Sequence, residues 1–434
     1  MTSMRDAGGR PRGSIRAHRA RATAALAAGL LAGTTVVGCQ AGGSTTRAAD
    51  PARAAPPASS PSALVPEATA TSPSTAPAEN VYAAAGPGML SPAARAARPL
   101  VYVPDTLSAS VDVIDPTTYR VIRSFRTSPV PQHVVPSWDL RTLWVTESGG
   151  SRLTPVNPVT GMPGRSLPVA DPYNLYFTPD GRHAMVMAER LRRIDFRDPH
   201  TMALQHSLPV PCRGVNHADF TADLTTAVVS CEFSGELIVV PVGGSRVSKV
   251  IDLNRVRTPD AMSPAEARRR GDPIGNLDPG ASSMPQDVRL TPDGGTFLVA
   301  DMLRDGVWLI DAHSFTVRGF LPTGAGAHGI YPSRDALSIY VSNRDAGTIS
   351  VIDAARLRVR AVWRIPGGGS PDMGGVTADG RQLWLSGRND AVVYVFDTGT
   401  GRLLHRIRVH PGPHGLCVWP QPGRYSLGHT GNMR

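Results

Sequence analysis

Lysine is all but missing from this 434-residue sequence: Lys249 stands alone, so the other basic residues are arginines. Six arginines set against Asp6 in the first 38 residues account for half of the formal net charge of +10. The rest of the charge forms no basic stripe interleaved with aromatics, so nucleic acid is not an expected partner. Catalytic signatures are missing as well. There is no Gly-x-Ser-x-Gly, Walker loop, His-Glu-x-x-His, Cys-x-x-Cys or Cys-x-x-Cys-His. Cysteine is scarce, with Cys39, Cys212, Cys231 and Cys417 the whole supply. The apolar run from Ala24 to Val37 is too short to span a bilayer comfortably.

That run has other uses. Behind an arginine-rich start, it gives residues 1–38 the form of a secretion signal. Val36-Val37-Gly38-Cys39 resembles a bacterial lipobox, which implies a lipid-modified Cys39 and anchoring at the outer face of the cytoplasmic membrane. Residues 39–98 are rich in Ala, Pro, Ser, Thr and Gly and poor in large apolar side chains. They cannot bury enough surface to offset their ordering entropy and read as a disordered tether.

From residue 99 to 422 one turn is written six times, as in Phe177-Thr-Pro-Asp-Gly-Arg182 and Leu290-Thr-Pro-Asp-Gly-Gly295. Its aspartates fall at 139, 180, 223, 293, 335 and 379, so the steps are 41, 43, 70, 42 and 44 residues. A β-rich run follows each turn, and Asp-Gly between two strands is a hairpin signal. A repeat of about 40–45 residues with several short strands per unit marks a propeller. The expected fold is all-β: seven four-stranded antiparallel blades, ring-closed by His414-Gly-Leu-Cys-Val-Trp419, with a tail over 423–434. Closure of that kind removes exposed sheet edges. The 70-residue step marks an insertion at about 254–283, with a helix start at Ser263-Pro-Ala-Glu266 and a lid or docking role in prospect.

Ile339-Tyr-Val-Ser-Asn343 with Ile349-Ser-Val-Ile-Asp353 resembles the YVTN β-propeller repeat of exported and cell-surface proteins. The pattern also resembles the wider group of quinoprotein amine dehydrogenase β-chain-like propellers. The resemblance implies a ligand site at the channel mouth, where the innermost strands begin.

Two registers of polar residues fall there. His133, Asn174, His217 and Asp287 form the candidate ligand-binding set. His328, Asp372 and His414, in one register on consecutive blades, form a candidate site for a divalent metal. Solvated channel lining is the competing reading of both. Asp105, Glu147, Glu189, Glu232 and Asp301 add an acidic rim suited to a cation or amine. Cys212 and Cys231 flank one hairpin and are expected to form a disulfide. The expected function is a monomeric, non-enzymatic scaffold that binds a protein, glycan or small molecule. The alternative is a channel-mouth lyase or lactone hydrolase.

Overall fold

The computed structural model describes residues 80–258, 276–429 and 431–434. The signal segment, Cys39, most of the tether and the helix start at Ser263 lie outside them. Among the described residues, seven antiparallel sheets form the blades of a propeller. Six blades take their innermost strands in order from Pro131–Pro136, Pro172–Phe177, Val215–Phe220, Pro285–Leu290, Ala327–Pro332 and Pro371–Val376. The first blade takes its own from the far end of the chain, because Cys417–Trp419 pairs antiparallel with Leu100–Asp105. Inner strands are buried throughout, whereas outer strands such as Arg120–Arg126 alternate towards solvent.

The sixfold turn has one local chemistry. The hydroxyl of Ser137, Thr178, Thr291 or Thr377 donates at 2.6 Å to the aspartate two residues on. That carboxylate accepts a backbone N–H from beyond the turn, as Asp180 does from Arg182. The turn is thus self-contained and can be repeated wherever Ser/Thr-x-Asp is written. Each blade then buries its apolar faces against its neighbours, giving clusters such as the one around Val135, Leu175, Phe177 and Val186. A disulfide joins Cys212 to Cys231 across the fourth blade, with Cα atoms 6.0 Å apart.

Two expectations about the ends need correction. Composition carries the tether to residue 98, yet residues 80–98 fold onto the propeller. Tyr82, Ala85, Ala94 and Ala97 are buried, and the Tyr82 hydroxyl donates to the Leu290 carbonyl at 2.7 Å. One aromatic and a few small alanines find a ready-made groove, which composition does not disclose. Residues 423–434, expected as a tail, are drawn into the far end of the channel. Phe177 N–H donates to Leu427 O at 2.9 Å and His429 N–H to Leu175 O at 3.0 Å, so this segment pairs with the third blade's innermost strand. Gly428 permits the approach: its φ is +95°, and a Cβ there would collide with the Tyr176 backbone. The Arg434 guanidinium ends the plug, donating to buried Asp219 at 2.9 Å.

Candidate functional site

A β-bulge explains why two successive residues of an innermost strand both serve the channel. In a regular strand they would face opposite sides. Here the register slips between Pro131 and Val134, Val215 and Ala218, Pro285 and Val288, Ala327 and Ile330, and Pro371 and Gly374. Two residues then oppose one on the partner strand. In four blades a hydroxyl opposite the bulge catches the freed N–H. His133 donates to Thr146 Oγ1 at 3.0 Å, His217 to Ser230 Oγ at 3.2 Å, Gly329 to Ser342 Oγ at 2.9 Å and Met373 to Ser386 Oγ at 3.3 Å. The two registers thereby become two tiers.

The upper tier floors the mouth. Asp372 stands at its centre, 3.2 Å from His328 Nδ1 and 2.7 Å from His414 Nδ1. It also accepts from Arg344 Nη2 at 2.6 Å. Burial alone would raise the Asp372 pKa, but Arg344 and then the two histidines hold it well below the usual carboxylate range. Burial, with Arg344 beside it, pushes His328 well down, and burial with Arg388 beside it lowers His414 to about 4. The candidate metal set is therefore brought together, but around a carboxylate that a guanidinium already neutralises. It is not among the triads of described residues whose ligand atoms all lie within 4.8 Å of one another.

Above this floor is a cavity of about 220 Å³ lined by Tyr173, Glu189, Glu232, Gln286, Arg344 and Arg388, among others. Asn276 brings the far end of the insertion to the same rim. Burial and then Glu232 raise Glu189 well above the usual carboxylate range, and burial raises Glu232. Among the described residues, Glu189 Oε1 is sealed from solvent without a partner. The other acids expected on the rim turn into their blades instead. Glu147 accepts from Ser128 N–H at 2.7 Å. Asp301 accepts from Met284 N–H at 2.9 Å and Trp308 Nε1–H at 2.8 Å, and Asp105 is fully buried beside Ser110.

The lower tier holds His133, Asn174, His217 and Asp287. The sequence register puts them at the mouth, but each is fully buried beneath it. His429 joins them from the C-terminal segment, a residue sequence reasoning missed because no repeat predicts where a tail folds back. Ring centroids are 4.8 Å apart for His217 and His429, 5.0 Å for His133 and His429, and 4.9 Å for His133 and His414. Gly415 makes room for His133, since a Cβ there would collide with its Nδ1. Burial holds His133, His217 and His429 well below the ordinary histidine pKa, so all three rings are neutral. Burial also raises Asp287, against the pull of Arg289. A further triad, Asp105, Asp112 and His410, lies on the flank of the first blade.

The class is thus a closed seven-bladed β-propeller with a polar mouth and a plugged, imidazole-lined channel. The chain belongs to the YNCE-like beta-propeller family, whose model matches residues 68–249 and 279–422. No curated protein matches it. Among solved structures it is similar to Kuenenia stuttgartiensis hydrazine synthase, at 16% identity and a TM-score of 0.54 over 68% of this chain and 90% of that one. A functionally unknown protein from Desulfotomaculum acetoxidans matches at 12% identity and 0.56 over 73% of this chain and 98% of that one. The dihydro-heme d1 dehydrogenase NirN matches at 13% identity and 0.52 over 73% and 74%. Identities this low establish the fold alone.

Proposed function

We propose that this protein is an exported, lipid-anchored propeller that binds a small amine-bearing ligand at its channel mouth. The observation that carries the reading is Glu189 Oε1, a sealed carboxylate oxygen without a partner, next to a second carboxylate on Glu232. Glu232 accepts from Asn216 Nδ2 at 2.9 Å and feels the charges of Arg344 and Arg388, so the unmet need is at Glu189, where sealing a carboxylate oxygen is costly unless a donor satisfies it. Arg344 is committed to Asp372, and Arg388 donates to Thr106 Oγ1 at 3.0 Å and to the Gly412 carbonyl at 3.3 Å. The cavity is smaller than the roughly 300–1,000 Å³ of drug-sized sites, which favours a compact ligand. Export and anchoring rest on the arginine-rich start, the apolar run and Val36-Val37-Gly38-Cys39. The enzymatic reading is weaker. His414 is oriented by Asp372 as a general base would be, but at about 4 its pKa makes it a poor base at neutral pH.

Thermal-shift titration with diamines, basic amino acids and amino sugars tests the ligand, their N-acetylated forms serving as controls. The amines are expected to raise Tm in the wild type and not in a Glu189→Gln/Glu232→Gln double variant. No shift with any amine, or equal shifts in the double variant, overturns the reading. For the anchor, Cys39→Ser should move the protein from the membrane fraction to the medium.

A further inference from the structure

Beneath the mouth lies a cluster the amine reading does not use. Its polar atoms are sealed and unsatisfied: His217 Nε2, His429 Nε2, Asp287 Oδ1 and both ring nitrogens of His133 have no partner among the described residues. Asp287 is divided in its attachments. Oδ2 accepts from Ile330 N–H at 2.9 Å and from Arg289 Nη2 at 3.4 Å, which fixes the carboxylate. Oδ1 is left 4.0 Å from His217 Nδ1 and 3.9 Å from His429 Nε2. One donor atom from each of the three residues lies within 4.8 Å of the other two.

We propose that His217, Asp287 and His429 hold a divalent first-row transition-metal ion in the closed lower channel, fastening the C-terminal segment to the ring. Ligand bonds of about 2.0–2.2 Å set ligand atoms about 3–3.5 Å apart, so the cluster closes with sub-ångström movements. Two imidazoles and one carboxylate select ions such as zinc or copper over magnesium or calcium, which prefer all-oxygen shells. Groups that would orient the ligands are also in place. The Asn174 side-chain amide lies 3.2 Å from His217 Nδ1 and 3.3 Å from His429 Nδ1. The amide is itself fixed, because Asn174 Oδ1 accepts from Leu175 N–H at 2.9 Å, so it holds both rings in place beside Asp287. Arg289 and the Ile330 N–H hold the carboxylate in the same way. The site is separate from the mouth, so failure of the amine reading leaves it standing.

The test uses the full chain purified in detergent without chelators. Elemental analysis is expected to find a stoichiometric transition metal. After chelation, zinc(II) or copper(II) should raise Tm saturably, while magnesium should not. His429→Gln, which keeps a polar side chain of similar length, should lose both the metal and the shift. His410→Ala, on the flank of the first blade, should lose neither. X-ray absorption at the edge of the metal bound to the wild type should show scattering from at least two imidazoles, a result independent of how any variant folds. A wild type with no transition metal and no zinc or copper response overturns the proposal. So does full metal retention in His429→Gln, loss in His410→Ala, or a spectrum without imidazole.

Discussion

The two tiers of the channel are built from the same materials, one residue apart on the same strands, and they end in opposite conditions. In the upper tier both oxygens of Asp372 are engaged: Arg344 balances its charge and His414 Nδ1 bonds it, while His328 Nδ1 lies 3.2 Å away without a hydrogen bond. In the lower tier Asp287 has one oxygen fixed and one unpartnered, facing rings whose outer nitrogens are unpartnered too. A buried group without a partner costs about 1–3 kcal/mol. The upper tier therefore contributes to holding the ring together, and the lower tier draws on stability unless something occupies it. Satisfied polar clusters make structure; unsatisfied ones point to ligands.

The sharpest way to separate the tiers is to remove the chain end that serves both. Deleting Pro413–Arg434 removes the closing strand, His414 and His429 together, and a cooperative thermal melt is expected to vanish. Deleting only Gly423–Arg434 spares the ring and the upper tier. It leaves Asp219 buried without Arg434, at an expected cost of about 3–5 kcal/mol in chemical denaturation. Equal behaviour of the two truncations would mean that ring closure adds no stability beyond what the C-terminal segment supplies.

Within the upper tier, Asp372→Asn should cost a similar amount, about 3–5 kcal/mol, because Arg344 is left buried without its counter-charge. pH probes the same cluster. His414 is neutral in the fold with its pKa lowered to about 4, whereas an unfolded histidine titrates near 6.5. Its contribution is complete above about pH 6.5 and is lost as pH falls from there towards 4. Asp372, also depressed, keeps its contribution until pH falls below the ordinary aspartate range of about 4. Tm should therefore decline from pH 6.5 downwards, and His414→Gln should make that decline shallower.

Much of this architecture can be read without coordinates, and the reasons are local. Ser/Thr-x-Asp turns are closed by their own side chains, so each copy announces itself, and the spacing of six copies gives the ring. Closure by residues 417–419 follows from counting strands. Which aspartates and histidines meet does not follow, because a bulge decides how deep each side chain sits. Its only trace is a hydroxyl one residue before the end of the facing strand, at Thr146, Ser230, Ser342 and Ser386. The part played by His429 is less legible still. It arrives from outside the repeat, and only the close fit of Gly428 against Tyr176 marks its path.

Gly415 offers a smaller perturbation, aimed at the boundary between the tiers. It neighbours His414 in sequence and touches His133 in space, pairing with it across the first and second blades. Gly415→Ala drives a methyl group against the His133 ring, with overpacking expected to cost about 1–3 kcal/mol. A Tm within error of the wild type would show that His133 has room to move.

The smallest expected effect is the most discriminating. His414 and His133 are buried neighbours with ring centroids 4.9 Å apart, yet His414 bonds Asp372 and neither nitrogen of His133 bonds anything. His414→Leu strips Asp372 Oδ2 of a partner and should cost about 1–3 kcal/mol. His133→Leu removes two unsatisfied polar atoms and leaves no partner behind, because there was none. Exchanging an unpaired buried polar group for an apolar one of similar bulk is near neutral or stabilising, so chemical denaturation of metal-free protein should place His133→Leu level with or above the wild type. If it falls as far as His414→Leu, His133 makes a polar contact in solution, and the contrast between the tiers fails at that residue.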